Sequence, residues 1–212
     1  MIVRSAGPGF ACRIAGTSTV RKIAAFEGGH GMDGIWRRGI LTAGGDARTP
    51  FDVYAIQSYL ADAVGKGTPP FAVASVDRWF QGGAVIDTLI PFLARRGLRT
   101  ARVGLLGWSM GGDGVLRLAA EHGRSLVAAV VATSPAITDR TARSYARRPA
   151  GIPVWAACGS HDSFSGPTKE FLATVRDGGG HPEGGIYSGC HDTAFRRKML
   201  PRQLAFLGSH LT

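Results

Sequence analysis

Three side chains in the C-terminal half of the chain have the types and the order of a nucleophile, an acid and a base. Ser109 lies in the sequence GWSMG, Asp162 ends VWAACGSHD, and His191 follows GGIYSGC. A serine hydroxyl is a weak nucleophile unless a histidine takes its proton and an acid orients that histidine. The pattern therefore predicts that Ser109 attacks an acyl carbon, with His191 as base and Asp162 as acid.

The predicted elements explain why this serine differs from an ordinary one. A strand is predicted at residues 102–108 and a helix at 111–123, so the serine lies at a strand-to-helix turn that strains its backbone. The start of the helix supplies the N–H of Met110 and a positive dipole end for an oxyanion. A second donor is expected from the glycine loop ILTAGGDART, at Ala43 or Gly44. The alternative is a glycine-rich turn without chemistry.

The acid and the base are assigned from their places in the order of strands. The acid is expected at the end of the second strand after the serine, and the base just after the last strand. Asp162 and His191 occupy these places. The neighbouring candidates fit less well, because they adjoin the chosen residues, precede the last strand or end a helix: His161, His181, Asp177 and Asp192.

From residue 51 onward, apolar runs of strand length alternate with segments of helical period. This pattern predicts an α/β fold, with a mostly parallel central sheet and helices on both faces. Strands are predicted at residues 71–76, 102–108, 126–134, 154–159 and in GGIYSG, and a strand before a glycine loop at 34–45. Helices are predicted at 51–64, 83–97, 111–123, in TKEFLATVRDGGG and in FRRKMLPRQLAFLGSHL, with Pro91 as a kink or a first-turn residue.

Length and composition favour one domain over residues 1–212 and indicate no cofactor. The chain has 25 basic and 15 acidic residues, a net charge of +10, but its arginines are scattered, which argues against nucleic acid as a partner. The arginine-rich residues 139–149 are expected to form a solvated loop.

Three cysteines, Cys12, Cys158 and Cys190, have no metal-ligand spacing, although Cys158 and Cys190 could pair across neighbouring strands. Without a long apolar run or signal segment, we expect no membrane insertion and a cytoplasmic location.

Three segments together resemble a known family. GLLGWSMGGDGVLRLA, CGSHDSF and GCHDTAFRRKMLPRQLAFL are similar to the esterase branch of the α/β-hydrolase superfamily, which includes esterase D and mycolyltransferase-like proteins. The resemblance spans residues 42–211 and implies the roles given above for the serine, acid and base. Residues 1–40 do not match, which implies a sheet reduced at its N-terminal edge. A short segment after FAVASVD implies that Trp79 and Phe80, with Trp108, line the substrate pocket, with packing in the core as the more frequent alternative for such aromatic side chains.

The leading hypothesis is a serine hydrolase that cleaves a small-molecule carboxylic ester through an acyl-enzyme, without a metal or cofactor. The related transferases suggest an alternative in which the acyl group passes to a sugar hydroxyl. A binding protein with an impaired site is a second alternative, because ILTAGGD has leucine and threonine where the family has a His-Gly pair. A third takes the +10 charge as primary and predicts binding to nucleic acid or acidic lipid.

Overall fold

The computed structural model describes residues 13–15, 35–36, 39–42, 54–76, 84–95, 98–147 and 151–211. The strands are β1 Arg13–Ala15, β2 Ile35–Trp36, β3 Gly39–Thr42, β4 Val73–Val76, β5 Val103–Trp108, β6 Val127–Thr133, β7 Val154–Gly159 and β8 Glu183–Tyr187. The helices are α1 Ile56–Gly65, α2 Ile90–Ala94, α3 Met110–Leu126, α4 Asp139–Arg147, α5 Ser165–Asp177 and α6 Thr193–His210. A π-helical segment, Ala84–Leu89, leads directly into α2.

The strands form one sheet that is parallel over most of its width. Its order is β1-β4-β2-β3-β5-β6-β7-β8, with β4 also pairing in parallel with β3. Strands β3 and β5 to β8 pair in parallel, whereas the short β1 and β2 pair antiparallel to their neighbours. Strands β5, β6 and β7 are buried along their whole length, as expected when helices cover both faces of a parallel sheet. The predicted α/β class and mostly parallel sheet are confirmed.

Two separate hydrophobic clusters show that helices cover both faces of the sheet. On one face, residues of α2, α3 and α5 such as Leu93, Val115 and Phe171 pack on the strands. On the other face, α1 and α6 supply Leu60, Leu204 and their neighbours. Because β5 to β8 run parallel to one another, the carboxyl ends of β5, β7 and β8 lie at one edge of the sheet, between the two covered faces. Among the described helices, none combines the length and the apolarity that a membrane crossing needs.

The predicted solvated loop at residues 139–149 is wrong, because residues 139–147 form α4. Thr138 stabilises the start of this helix: its hydroxyl accepts the N–H of Thr141 at 3.3 Å, and its own N–H donates to the Thr141 hydroxyl at 2.8 Å. Ala142 is fully buried and Tyr145 packs against the core. Three of the arginines that suggested a loop, Arg140, Arg143 and Arg147, occupy the solvent-facing side of an amphipathic helix.

Other predicted elements differ in smaller ways. The predicted helix at residues 83–97 is divided into the π-helical segment and α2, and Pro91 lies in the first turn of α2. The predicted strand at 34–45 is a pair of antiparallel strands, with Ile35 opposite Ile40. Helix α3 runs on to Leu126 through a non-helical Gly123. Strand β7 has the predicted bounds.

Candidate active site

Ser109 lies on the turn between β5 and α3, with a φ of 53° that is uncommon for a residue with a Cβ atom. Its N–H donates to the carbonyl of Thr133 at 3.0 Å, and its carbonyl accepts from the N–H of Asp113 at 3.1 Å and of Ala136 at 2.9 Å. The residue is thus held by its own helix and by the chain that follows β6. These three bonds fix the backbone of the serine and present its side chain at the edge of the sheet.

The glycine two residues before the serine makes this tight turn possible. A Cβ atom at Gly107 would overlap the carbonyl oxygen of Gly111, because the first turn of α3 folds back over the end of β5. Gly112 packs closely against Pro135, since a Cβ atom on this glycine would lie 2.8 Å from the Cα of the proline. The motif therefore encodes the close approach of a helix to a strand as well as the exposure of a hydroxyl.

Asp162 follows β7, and its side chain is completely buried. Its Oδ1 accepts the N–H of Phe164 at 3.0 Å. Burial raises the pKa of this carboxyl group, but hydrogen bonds from Phe164, Ser134 and His191 outweigh burial, so the pKa lies below its usual value. The group is consequently a carboxylate at neutral pH, although it is shielded from solvent.

His191 lies between β8 and α6 and contacts both other residues. Its Nδ1 lies 2.8 Å from Oδ2 of Asp162, and its Nε2 lies 3.0 Å from Oγ of Ser109. An ionised carboxylate only accepts hydrogen bonds, so Nδ1 carries the proton and Nε2 is free to accept the serine hydroxyl. Phe164 packs edge-on against the imidazole, with the ring centroids 5.5 Å apart. About a third of the histidine side chain is exposed, so the site opens to solvent.

Hydrogen bonds between the loops after β7 and β8 hold the acid next to the histidine. The N–H of Ser160 donates to the carbonyl of Tyr187 at 2.7 Å, and the N–H of His161 donates to that of Gly189 at 3.0 Å. Gly159 allows this contact, because a Cβ atom there would overlap the Gly189 carbonyl. The two loops thus form one bonded unit.

The structure brings together the three residues that the order of strands predicted, and it places the weaker candidates elsewhere. The ring of His161 is exposed and lies beside the Ser160 hydroxyl, at 3.2 Å. His181 precedes β8, at the opposite edge of the parallel sheet. The carboxylate of Asp192 accepts the N–H of Phe195 at 2.7 Å and so caps α6. Asp177 is the last residue of α5.

The other predicted site residues divide into two groups. Met110 is the first residue of α3, where an amide N–H has no partner within the helix. Trp108 is only 1% exposed and packs against Tyr54 in the core, with the ring centroids 4.5 Å apart, so its indole is a packing group and does not form an open pocket wall. The remaining predicted residues lie outside the described part of the chain: Ala43, Gly44, Trp79 and Phe80.

Two features near the site were not predicted. Ser134, directly after β6, is buried beside Asp162 and also has a positive φ, of 45°. Its signal in the sequence is a second serine at the end of a buried apolar strand. Arg196 of α6 is buried and donates to the Tyr54 hydroxyl, which links the helix after the histidine to the residue before α1. A single arginine in a basic helix gives no such signal.

The part of the chain that the structure describes contains no disulfide and no cluster of metal ligands. Cys158 is buried and Cys190 is exposed, and both are free, so the two do not pair. No three side chains among the described histidines, cysteines, aspartates and glutamates group as metal ligands.

No protein-family model and no curated protein sequence matches the chain. Among solved structures, it is similar to a ferulic acid esterase, with a TM-score of 0.70, 15% identity and coverage of 82% of this chain and 84% of that one.

Two Staphylococcus aureus proteins are also similar in structure. For fluorophosphonate-binding serine hydrolase F the TM-score is 0.66 at 14% identity, over 80% of this chain and 82% of that one. For an S-formylglutathione hydrolase the TM-score is 0.60 at 16% identity, over 80% of each chain. At these identities the likeness shows a shared fold, and the chain has the α/β-hydrolase fold.

Proposed function

We propose that the protein is a serine hydrolase that cleaves carboxylic esters of small molecules through an acyl-enzyme intermediate. The observation that carries the proposal is the continuous hydrogen-bonded row from Ser109 through His191 to the buried carboxylate of Asp162. This arrangement is the one that activates a serine hydroxyl for acyl transfer. The names of the similar structures, which include esterases and serine hydrolases, support the same class of reaction.

In the first half of the reaction, Oγ of Ser109 forms a bond to the ester carbonyl carbon while its proton passes to Nε2 of His191. The carboxylate of Asp162 stabilises the imidazolium through Nδ1. The same proton then passes from Nε2 to the alcohol oxygen as its bond to carbon breaks, and the alcohol leaves. In the second half, water attacks the acyl carbon while its proton passes to Nε2 of His191. The bond from the acyl carbon to Oγ then breaks, Oγ takes the proton back from Nε2, and the carboxylic acid leaves.

The negative charge that develops on the carbonyl oxygen needs donors at the start of α3. The amide of Met110 stands at the N-terminus of α3, where the helix dipole also favours negative charge. Ala43 or Gly44 is proposed as the second donor, from the loop that follows β3. Because β3 pairs in parallel with β5, the carboxyl end of β3 lies at the same edge of the sheet as the serine turn.

Fluorophosphonate labelling tests the proposal, because this probe reacts only with an activated serine. We expect rapid labelling at Ser109, located by mass spectrometry, and turnover of a small aryl ester such as an aryl acetate. Ser109→Ala and His191→Ala should abolish both. Ser160→Ala, which changes an exposed serine close to the acid, is the matched control and should retain both.

Absence of labelling in a folded sample would contradict the proposal and favour a binding protein with a hydrolase fold. Full ester turnover by Ser109→Ala would also contradict it. Labelling that is lost in Ser160→Ala but retained in Ser109→Ala would identify Ser160 as the nucleophile and would contradict the proposal.

A further inference from the structure

Ser134 has an unusual position directly beyond β6. It is 1% exposed, its N–H donates to the carbonyl of Ala157 at 2.7 Å, and its φ is 45°. A residue with a Cβ atom adopts this conformation only when the surroundings hold it there. Glycine would adopt it without strain, so the presence of a serine points to a use for the hydroxyl group.

The hydroxyl of Ser134 lies beside a thiol and a carboxylate. Cys158, a buried residue of β7, donates from Sγ to Oγ of Ser134 over 3.8 Å. Asp162, whose side chain has no exposed surface, neighbours both the Ser134 hydroxyl and the Cys158 thiol. A hydroxyl has a single proton to donate, and a carboxylate can only accept. A serine that accepts from the thiol can therefore direct its proton to the carboxylate.

We propose that Ser134 is a positioning residue, whose hydroxyl donates to Asp162 and holds the carboxylate in the orientation that His191 requires. The inference rests on the proposed function, because it assigns a task within the same site. With Phe164 N–H on Oδ1 and His191 Nδ1 on Oδ2, the hydroxyl supplies a third donor to one buried carboxylate. Three donors fix the plane of the carboxylate as well as its position.

The acid–base properties of the neighbours agree with these directions. Burial raises the pKa of the Cys158 thiol to about 12, so the thiol stays protonated and remains a donor to Ser134. Burial also raises the pKa of Asp162, but hydrogen bonds that include the one from Ser134 bring the pKa below its usual value. Loss of the Ser134 hydroxyl should therefore raise the pKa of Asp162.

The experiment compares Ser134→Ala and Ser134→Gly with the wild-type protein and with the control Ser160→Ala. The pKa of the Asp162 carboxyl group is measured by carbon-13 NMR titration, assigned with Asp162→Asn, and ester hydrolysis is measured over the same pH range. We expect both Ser134 variants to raise this pKa and to lower kcat about 10-fold with little change in KM. Ser160→Ala should leave the pKa and the kinetics unchanged.

The alanine and glycine variants separate the hydroxyl group from the backbone. Both lack the hydroxyl, but only glycine relieves the positive φ, so equal effects on the pKa assign the effect to the hydrogen bond. An unchanged pKa in both variants would overturn the proposal, and so would a change confined to the glycine variant. Circular dichroism checks that each variant is folded, and either variant alone gives the pKa readout.

The NMR readout also separates this inference from the proposed function. If the wild-type protein hydrolyses no ester and takes no fluorophosphonate, the proposed function fails. A raised pKa of Asp162 in the Ser134 variants would then still establish the anchoring of the carboxylate. Active wild-type enzyme with an unchanged pKa in both variants would leave the function standing and overturn the role of Ser134.

Discussion

The turns after β5 and β6 begin in the same way and then diverge. Each adjacent strand is followed by a serine with a positive φ, 53° at Ser109 and 45° at Ser134. Each serine donates its N–H to a carbonyl of the next strand, Ser109 to Thr133 at 3.0 Å and Ser134 to Ala157 at 2.7 Å. A strained serine at the end of a parallel strand is thus not sufficient for a nucleophile.

The two turns differ in the chain segment that comes after each serine. After Ser109 the chain enters α3 at once and folds back over the strand, whereas after Ser134 it continues through Pro135 and forms no helix until Asp139. Because α3 folds back over β5 directly after the serine, Ser109 is partly exposed beside His191, while Ser134 is buried beside Asp162. The presence or absence of an immediate helix therefore decides which serine is partly exposed beside His191 and which is buried beside Asp162.

The residues two positions before the serines show the same contrast, and they give the largest expected effect. Gly107 and Ala132 are partners in the register of β5 and β6. A Cβ atom at Gly107 would overlap the Gly111 carbonyl, a backbone atom that cannot rotate away. We expect Gly107→Ala to lower the free energy of unfolding by about 3 kcal/mol or more and to abolish ester hydrolysis. Urea denaturation and turnover measure the two effects.

The matched control is Ala132→Gly, which removes a buried methyl group from the other strand. It should cost about 1 kcal/mol and leave the serine turn in place. If the two substitutions cost the same, the tight return of α3 would not be the reason for glycine in the motif.

A smaller effect is expected where the two turns contact each other. A Cβ atom at Gly112 would lie 2.8 Å from the Cα and 3.0 Å from the Cβ of Pro135. Gly112→Ala should separate α3 from the chain after β6, at a cost of about 1–3 kcal/mol in the free energy of unfolding, and should lower kcat. The control Gly166→Ala is in α5, where a Cβ atom has open space, and should be neutral or slightly stabilising. Comparable losses of stability in Gly112→Ala and Gly166→Ala would show that the contact between Gly112 and Pro135 is not the cause.

The order of the elements could be predicted from the sequence, because the strands that carry the site are continuous apolar runs. Strand β7 has the predicted bounds, and the three candidate residues meet because each follows a parallel strand at the same edge. This prediction needed only the rule that carboxyl ends of parallel strands lie together. The chemical roles of the three residues stay predictions until the labelling experiment.

The features that could not be predicted depend on contacts between distant parts of the chain. The role of Ser134 depends on its distance from Asp162, which lies beyond the next helix and strand, and a serine before proline is typical of an ordinary turn. The arginines near residue 140 hid the helical period, because the side of α4 that packs on the core has only three apolar residues, Ala142, Tyr145 and Ala146. Trp108 next to Ser109 suggested a pocket, but it ends β5, which is buried along its whole length, and it packs against Tyr54.

The two turns also differ in the aspartate that lies beside each one, which gives a test by pH. For Asp162, near the β6 turn, burial is outweighed by hydrogen bonds and the pKa is lowered. For Asp113, in the first turn of α3, burial outweighs the Tyr145 hydrogen bond and the attraction of Arg117, and the pKa is raised.

Opposite shifts require opposite pH dependence of stability. A lowered folded pKa stabilises the protein above the unfolded value near pH 4, and this contribution disappears as pH falls through the folded pKa. A raised folded pKa stabilises at low pH and loses its contribution as pH rises through the folded pKa. The cost of Asp162→Asn should therefore shrink as pH falls from about 6 to about 3, whereas Asp113→Asn should become relatively more stable as pH rises. The midpoints of urea denaturation, measured for both variants across this pH range, test the opposite signs. Parallel trends in the two variants would contradict the opposite pKa shifts of Asp162 and Asp113.

The smallest expected effect compares glycine at the two strained serines. Ser109→Gly relieves a positive φ and gives up only the hydrogen bond to a half-exposed histidine, so it should raise the free energy of unfolding by about 1 kcal/mol while abolishing hydrolysis. Ser134→Gly relieves a similar φ but loses a buried hydrogen bond to a carboxylate, a loss of about 1.5–3 kcal/mol, so it should be neutral or destabilising. Urea denaturation measures both. Equal stabilisation by the two substitutions would mean that the Ser134 hydroxyl contributes nothing to the folded state, and that the two turns differ only in whether a helix begins at once after the serine.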